Sequence, residues 1–216
     1  MNIIMFGPPG AGKGTQSDNL VKDFKLLKIS TGDLLRKEIK DNTSLGIKIK
    51  AIIDQGILAP DEIINGLIEK LLSKKNYINR LIFDGYPRNL DQAKNLDYLM
   101  EKHNQKISYV LSLNVNENII TRRILGRIVC SKCGLNFNKF FNLSTNKNHQ
   151  CEQKFLQVRS DDNNKTLKNR FATYKKERKP ILDYYKNQNL LYEIDGMKGI
   201  PVIYKEICHI INSIEA

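Results

Sequence analysis

The sequence predicts an α/β fold, a five-stranded parallel sheet flanked by helices and interrupted by a small helical insertion and a small β-rich one. Three observations carry this expectation. Short apolar runs of strand character alternate along the chain with stretches whose apolar residues fall at helical spacing. The first run, Ile3-Ile4-Met5-Phe6, stops at the glycine-rich loop Gly7-Pro8-Pro9-Gly10-Ala11-Gly12-Lys13-Gly14-Thr15, which opens into a helix. The alternation then breaks twice, in a small helical excursion from Asp41 to Pro60 and over Arg127 to Asp162, where short aromatic and polar pieces with three cysteines read as a small insertion.

Each element has its own signal. After the loop, Leu20, Val21 and Phe24 share a helical face, and Leu27-Lys28-Ile29-Ser30 is a short strand. Thr31-Gly32-Asp33 starts a capped helix that continues through Leu34, Leu35 and Ile39. Leu45, Ile49, Ile52 and Ile53 make a further helix that Gly56 and Pro60 close. A helical region from Asp61 to about Lys75 leads to the buried run Leu81-Ile82-Phe83, which ends in Asp84-Gly85-Tyr86-Pro87-Arg88. A helix through Ala93, Leu96 and Leu99 precedes a strand at 109–113, and a helix carrying Ile119, Ile120, Ile124 and Leu125 follows it. Beyond the second insertion a helix around Leu167 to Tyr174 is expected to end near Pro180. Leu190 to Ile194 is the last strand, and Ile203, Ile207, Ile210, Ile211 and Ile214 line one face of a final helix.

The glycine loop has the chemistry of a phosphate cradle. Glycines let the backbone curl through positive φ and bring N–H donors close to phosphate oxygens. Lys13 adds a point charge, and the following helix aims its positive end at the same anion. The residue after the lysine is Gly14, with Thr15 one place later, where the general motif has Ser or Thr directly. Asp84, at the end of an apolar strand, stands where such a site holds magnesium, directly or through water. Taken alone, an aspartate before glycine is an ordinary turn residue; beside Lys13 the magnesium reading prevails.

Composition sets the outer limits. A chain of 216 residues with 41% apolar content builds one core with insertions. A net charge of +12 would suit a nucleic acid, an acidic membrane surface or a polyanionic small substrate. Lysine and asparagine are spread along the chain, so most of the excess is solvated surface. No run approaches the length of a membrane span, and the first apolar run lacks a basic flank and a cleavage site, so the expected location is cytoplasmic. The cysteines 130, 133, 151 and 208 are then expected as thiols or metal ligands rather than disulfides, with Cys208 a core thiol of the last helix.

Gly7 to Thr15, Ser30-Thr31-Gly32-Asp33 with Arg36, Asp84 to Arg88 with Gln92, and Arg159 before Asp161-Asp162 together resemble the adenylate kinase family, in order and over essentially the whole chain. The long second insertion is similar to the lid of its bacterial type. The resemblance implies a P-loop NTPase-like core of residues 1–29, 60–125 and 163–216, an AMP-binding insertion of 30–59 and a lid of 126–162. It implies reversible phosphoryl transfer between MgATP and AMP giving two ADP, by a monomer with no nucleic-acid or membrane partner. Under it, Gly10, Ala11, Gly12, Lys13, Gly14 and Thr15 bind ATP phosphates, and Arg127, Asn136, Phe137 and Lys198 complete the ATP site. Thr31, Arg36, Ile57, Leu58, Ala59, Gly85, Tyr86, Pro87, Arg88 and Gln92 bind AMP, Gln92 at the adenine edge. Lys13, Arg88, Arg123, Arg127, Arg159 and Arg170 form the catalytic set, Arg159 and Arg170 also reaching AMP. The chemistry agrees, because phosphoryl transfer needs alignment and spread positive charge rather than a nucleophilic side chain. The alternatives are another nucleoside monophosphate kinase, acting on UMP, CMP or GMP, and, from a different class, a P-loop nucleic-acid-binding protein.

Cys130-Ser131-Lys132-Cys133 is a knuckle with metal-ligand spacing, and Cys151 offers a third thiolate. Zinc-bearing members of the family close the site with Cys or Asp three residues after the third ligand, where this chain has Lys154. The fourth position therefore stays open between His149, Glu152, a water and no metal at all.

Overall fold

A computed structural model describes residues 1–74, 78–141 and 149–215, with residues 214 and 215 described in backbone only. In chain order the elements are β1 (Asn2–Phe6), α1 (Lys13–Phe24), β2 (Leu27–Ser30), α2 (Thr31–Lys40), α3 (Ser44–Asp54), α4 (Asp61–Leu72), β3 (Leu81–Asp84), α5 (Leu90–Lys102), β4 (Tyr109–Asn114) and α6 (Glu117–Leu125). The second insertion supplies β5 (Arg127–Cys130), β6 (Asn136–Asn138) and β7 (Leu156–Gln157); α7 (Asn164–Lys186), β8 (Leu191–Asp195) and α8 (Ile200–Glu215) complete the chain.

The main sheet is parallel, in the order β2-β3-β1-β4-β8. β1 is buried along its whole length because helices cover both faces, and this is why it reads as an unbroken apolar run. Its side chains alternate between two cores. Ile4 and Phe6 pack with Ile68, Leu96 and Tyr185, whereas Ile3 and Met5 pack with Leu20, Ile207 and Ile211. The register pairs Met5 with Asp84 and Phe6 with Ser112, so the loops after β1, β3 and β4 emerge side by side. Crevices at the carboxyl ends of such strands are where open parallel sheets bind ligands.

The first insertion is the helix pair α2 and α3. Ser30 caps α2 by accepting from the Asp33 amide, and Thr43 caps α3 by accepting from that of Gly46. A Cβ at Gly46 would run into the Glu38 carbonyl, so only glycine lets the two helices meet this closely. The second insertion is an antiparallel sheet of order β6-β5-β7.

Three expectations need correcting. Helix α7 does not end near Pro180 but runs through it to Lys186. Proline removes one donor, yet Pro180 and Lys176, whose carbonyl loses its partner, are both exposed, so water can satisfy it. Burial of Phe171, Ile181 and Tyr185 holds the turns on either side. Cys208 is half-buried beside Tyr204 rather than a core thiol, because Ile203, Ile207 and Ile211 occupy the inward face of α8. Helix α4 stops at Leu72; Lys75 and the side chain of Ile214 lie outside the described residues.

Candidate active site

The loop after β1 passes through positive φ at Gly7, Gly10 and Gly12, and Gly12 sits at the N-cap of α1 with no side-chain cap. The first amides of α1 are thus left facing a cavity, the arrangement that receives an anion. Lys13 donates from Nζ to the carbonyls of Gly7 (2.7 Å) and Pro8 (2.9 Å), which folds it back over the loop. Burial lowers its pKa to about 8; Asp84 opposes the shift, and Arg88, Arg170 and Arg127 add to it.

Gly10 to Thr15 line a cavity of about 640 Å³ together with Asp84, Arg123, Arg127, Asn136, Phe137, Arg159, Arg170 and Lys198. Asp84 presents its carboxylate toward the first turn of α1, where a Cβ on Gly14 would lie 3.5 Å from its Oδ2. A partly accessible hard oxygen donor beside a phosphate cradle fits hydrated magnesium.

A second space of about 50 Å³ adjoins the first, lined by Thr31, Ile57, Leu58, Ala59, Gly85 and Gln92 among others. Gly85 organises this region. Its carbonyl accepts from Thr31 Oγ1 (2.9 Å) and Arg88 Nε (2.7 Å), at a φ of 77° that suits glycine. Gln92 is nearly inaccessible, with its Oε1 accepting from the Arg88 amide and its Nε2 donating to Asp61, so each end of the amide has one bond left to offer. Pro87 faces the large cavity, but Tyr86 turns its ring into the core and donates to Asn65, lining neither space. Arg36, Arg88 and Arg170 line both spaces, at their junction.

Carboxylates that the motifs did not assign hold these arginines. Arg127 makes a two-bond pair with Asp162, Arg170 reaches Asp161 at 3.0 Å, and Arg36 reaches Asp33 at 2.5 Å. Arg159 donates to Asn136 Oδ1 and stands 3.9 Å from Asp33. Arg123 reaches the carbonyls of Ala11 and Gly196. Burial would raise the carboxyl of Asp161, but Arg170, Arg36, Arg127 and Arg159 outweigh it and hold it below its usual range. Burial, joined by Arg170, brings Arg88 down to about 10; burial, joined by Arg36 and Arg127, does the same to Arg159. Asp161 and Asp162 stand in the motif beside Arg159, and a cluster of part-buried arginines needs such counter-ions. Arg178, which lines the large cavity and bonds Asn114, carries no motif and was reachable only through the fold.

The two insertions touch. Ser160 Oγ lies 3.2 Å from Asp54 Oδ1, and Thr166 and Asn169 of α7 donate to the carbonyls of Asp54 and Gln55.

In the second insertion, potential ligand atoms of Cys130, Cys133, His149 and Cys151 lie within 4.8 Å of one another. His149 is buried, packs edge-on to Phe137 and has an enclosed Nε2 with no hydrogen-bond partner. Three sulfurs and an imidazole fit tetrahedral zinc. Glu152 lies outside this group, exposed and paired with Lys154 at 2.8 Å.

A sequence profile described as "Adenylate kinase" matches residues 5–190. The chain is 44% identical over 211 residues to the adenylate kinase of Pelagibacter ubique, covering 98% of this chain and 99% of that one. It is 38% identical to the adenylate kinase of Enterococcus faecalis (98% and 99% covered) and 41% identical to that of Methanosarcina barkeri (96% and 96% covered).

Proposed function

The chain belongs to the adenylate kinase family and catalyses the reaction ATP plus AMP to two ADP, and we propose the following division of labour among its residues. The observation that carries it is the pair of adjoining spaces whose common wall is Arg36, Arg88 and Arg170. ATP takes the large cavity, its phosphates on the amides of Gly10 to Thr15 and on Lys13, with Asn136, Phe137 and Lys198 around its far end. AMP takes the smaller space together with the adjoining end of the large cavity, which Gly32, Arg36, Leu58, Gly85, Pro87 and Arg88 line, between Thr31, Ile57 to Ala59 and the Gly85 to Arg88 turn, with Gln92 at the base. Tyr86 contributes through its backbone, since its ring is committed to the core.

The reacting phosphates then meet at the shared arginines. Arg88, Arg123, Arg127, Arg159 and Arg170 spread positive charge over the transferring group, and planar guanidinium forks fix its oxygens in line. Magnesium, held through water by Asp84, would neutralise charge on the phosphates. Residues 30–59 and 126–162 act as the AMP-binding piece and the lid, excluding water that would compete with AMP as acceptor. Both nucleotide spaces are complete within one chain, which supports a monomer. Among the described residues no helix is long and apolar enough to cross a membrane, and the proposed setting is cytoplasmic, without nucleic-acid or membrane partners. Zinc, held by Cys130, Cys133, Cys151 and His149, would stiffen a lid too small to build its own core.

Coupled ADP-release assays test the reading. ATP with magnesium and AMP should turn over, Lys13→Ala should abolish it, and Arg36→Ala should raise the KM for AMP more than that for ATP. Equal turnover with UMP or CMP, the alternatives that family membership disfavours, would refute the AMP assignment. Elemental analysis should find about one zinc per chain, lost in His149→Ala and kept in Glu152→Ala; zinc-free protein from zinc-replete expression would refute the metal site.

A further inference from the structure

Two cations that line the large cavity, Lys28 and Arg178, have no part in the division of labour above. Lys28, on β2, lines the large cavity with a side chain only 19% exposed. Its Nζ bonds Asp18 Oδ1 of α1 at 2.8 Å and stands 3.8 Å from Asp84 Oδ2. Gly14 marks how close this is to the phosphates, since a Cβ there would lie 3.5 Å from Asp84 Oδ2 and 3.8 Å from Lys28 Nζ. The ammonium is thus shared between a peripheral carboxylate, 42% exposed, and the carboxylate assigned to magnesium, 15% exposed.

We propose that Lys28 is a positioning residue that competes with magnesium for Asp84 and so sets how strongly the chain prefers MgATP over metal-free ATP. This rests on the assignment of ATP to the large cavity. Without the metal, Lys28 neutralises Asp84, which would otherwise repel the nearby phosphates, and adds its own attraction for them. With the metal in place, two cations face each other across one carboxylate in a site of reduced dielectric, and their repulsion weakens the ternary complex. Asp18 relieves that repulsion by drawing the ammonium back along α1. The shorter of the two contacts is already the one to Asp18, so the lysine need only give up its longer one.

The mechanism predicts effects of opposite sign from two neighbouring substitutions, which a merely structural role would not produce. Isothermal titration calorimetry of ATP, once with EDTA and once with saturating magnesium, gives the ratio of the two dissociation constants. Lys28→Gln should raise the preference for MgATP by about 3- to 10-fold, mostly by weakening metal-free ATP. Asp18→Asn, which frees the ammonium toward Asp84, should lower it by about 3-fold. The double variant should behave as Lys28→Gln alone, and Lys28→Arg should stay near the parent. A ratio unchanged within twofold in Lys28→Gln overturns the proposal. So does an Asp18→Asn effect of the same sign, or one that persists without Lys28. If the parent protein bound ATP under neither condition, the assignment of the large cavity would fall, and the role of Lys28 with it.

Discussion

Gly10 and Gly12 both adopt left-handed backbone, at φ 78° and 98°, yet they meet different surroundings. A Cβ on Gly10 would lie 2.7 Å from Ile124 Cγ1 and 3.0 Å from Ile120 Cγ2, both in the buried cluster beneath the loop. A Cβ on Gly12 would meet nothing within 4 Å, because Gly12 faces the large cavity. Each alanine costs about 1–2 kcal/mol for the left-handed conformation. Gly10→Ala adds overpacking against Ile124 and Ile120, about 1–3 kcal/mol more. Urea denaturation of nucleotide-free protein should therefore find Gly10→Ala less stable than Gly12→Ala by about 1–3 kcal/mol. ATP affinity should fall in the reverse order, since the new methyl of Gly12→Ala would enter the cavity proposed above to hold the phosphates. A double-mutant cycle of Gly10→Ala with Ile124→Ala should show a favourable coupling of about 1 kcal/mol or more, because truncation relieves the contact. Equal destabilisation of the two glycine variants, or a coupling near zero, would refute the packing argument.

Further outcomes follow from the geometry and charges of the site. Lys13 is fully charged only below its pKa of about 8, so kcat/KM for ATP should fall as pH rises above 8; a flat profile to pH 9.5 contradicts its role. The same lowering from 10.5 means that charged Lys13 destabilises the empty fold below pH 8, and that this cost fades as pH rises toward 10.5. Asp162→Ala, which strands Arg127 beside a carboxylate site with no solvent exposure, should lower unfolding free energy by about 3–5 kcal/mol, whereas loss of the exposed Lys102–Glu69 pair should leave the urea midpoint unchanged. Gly46→Ala pushes α2 from α3 and should raise the KM for AMP while leaving ATP affinity within twofold; equal effects on both would contradict the separation of the two spaces.

What the sequence made legible was local. Strand runs, helical spacing and the glycine loop each declare themselves within a dozen residues, and their order is enough to imply the sheet. The pairing of Arg127 with Asp162, 35 residues apart, depends on which segments the fold brings together, and no spacing announces it; that of Arg36 with Asp33, three residues apart on α2, is by contrast local. Lys28 reads as one residue of a strand until β3 lays Asp84 beside it. Pro180 shows the reverse case, a strong local stop signal overridden because packing on both sides holds the helix. His149, two residues before Cys151, is one candidate ligand among several by spacing, and the fold singles it out by placing it among the thiols and against Phe137 while Glu152 stays outside.

The carboxylates of Asp33, Asp161 and Asp162 have a consequence for turnover. They pair with guanidinium groups to which the proposed function assigns the nucleotide phosphates. On that assignment nucleotide binding would be an exchange of one anion for another, with the arginines kept in place and much of their desolvation already met by the fold. Such an exchange moderates affinity, because every phosphate contact displaces a partner. It also eases departure, because each arginine has a counter-ion waiting when ADP leaves. A reaction that must run in both directions is served by a site in which neither set of nucleotides is held too firmly.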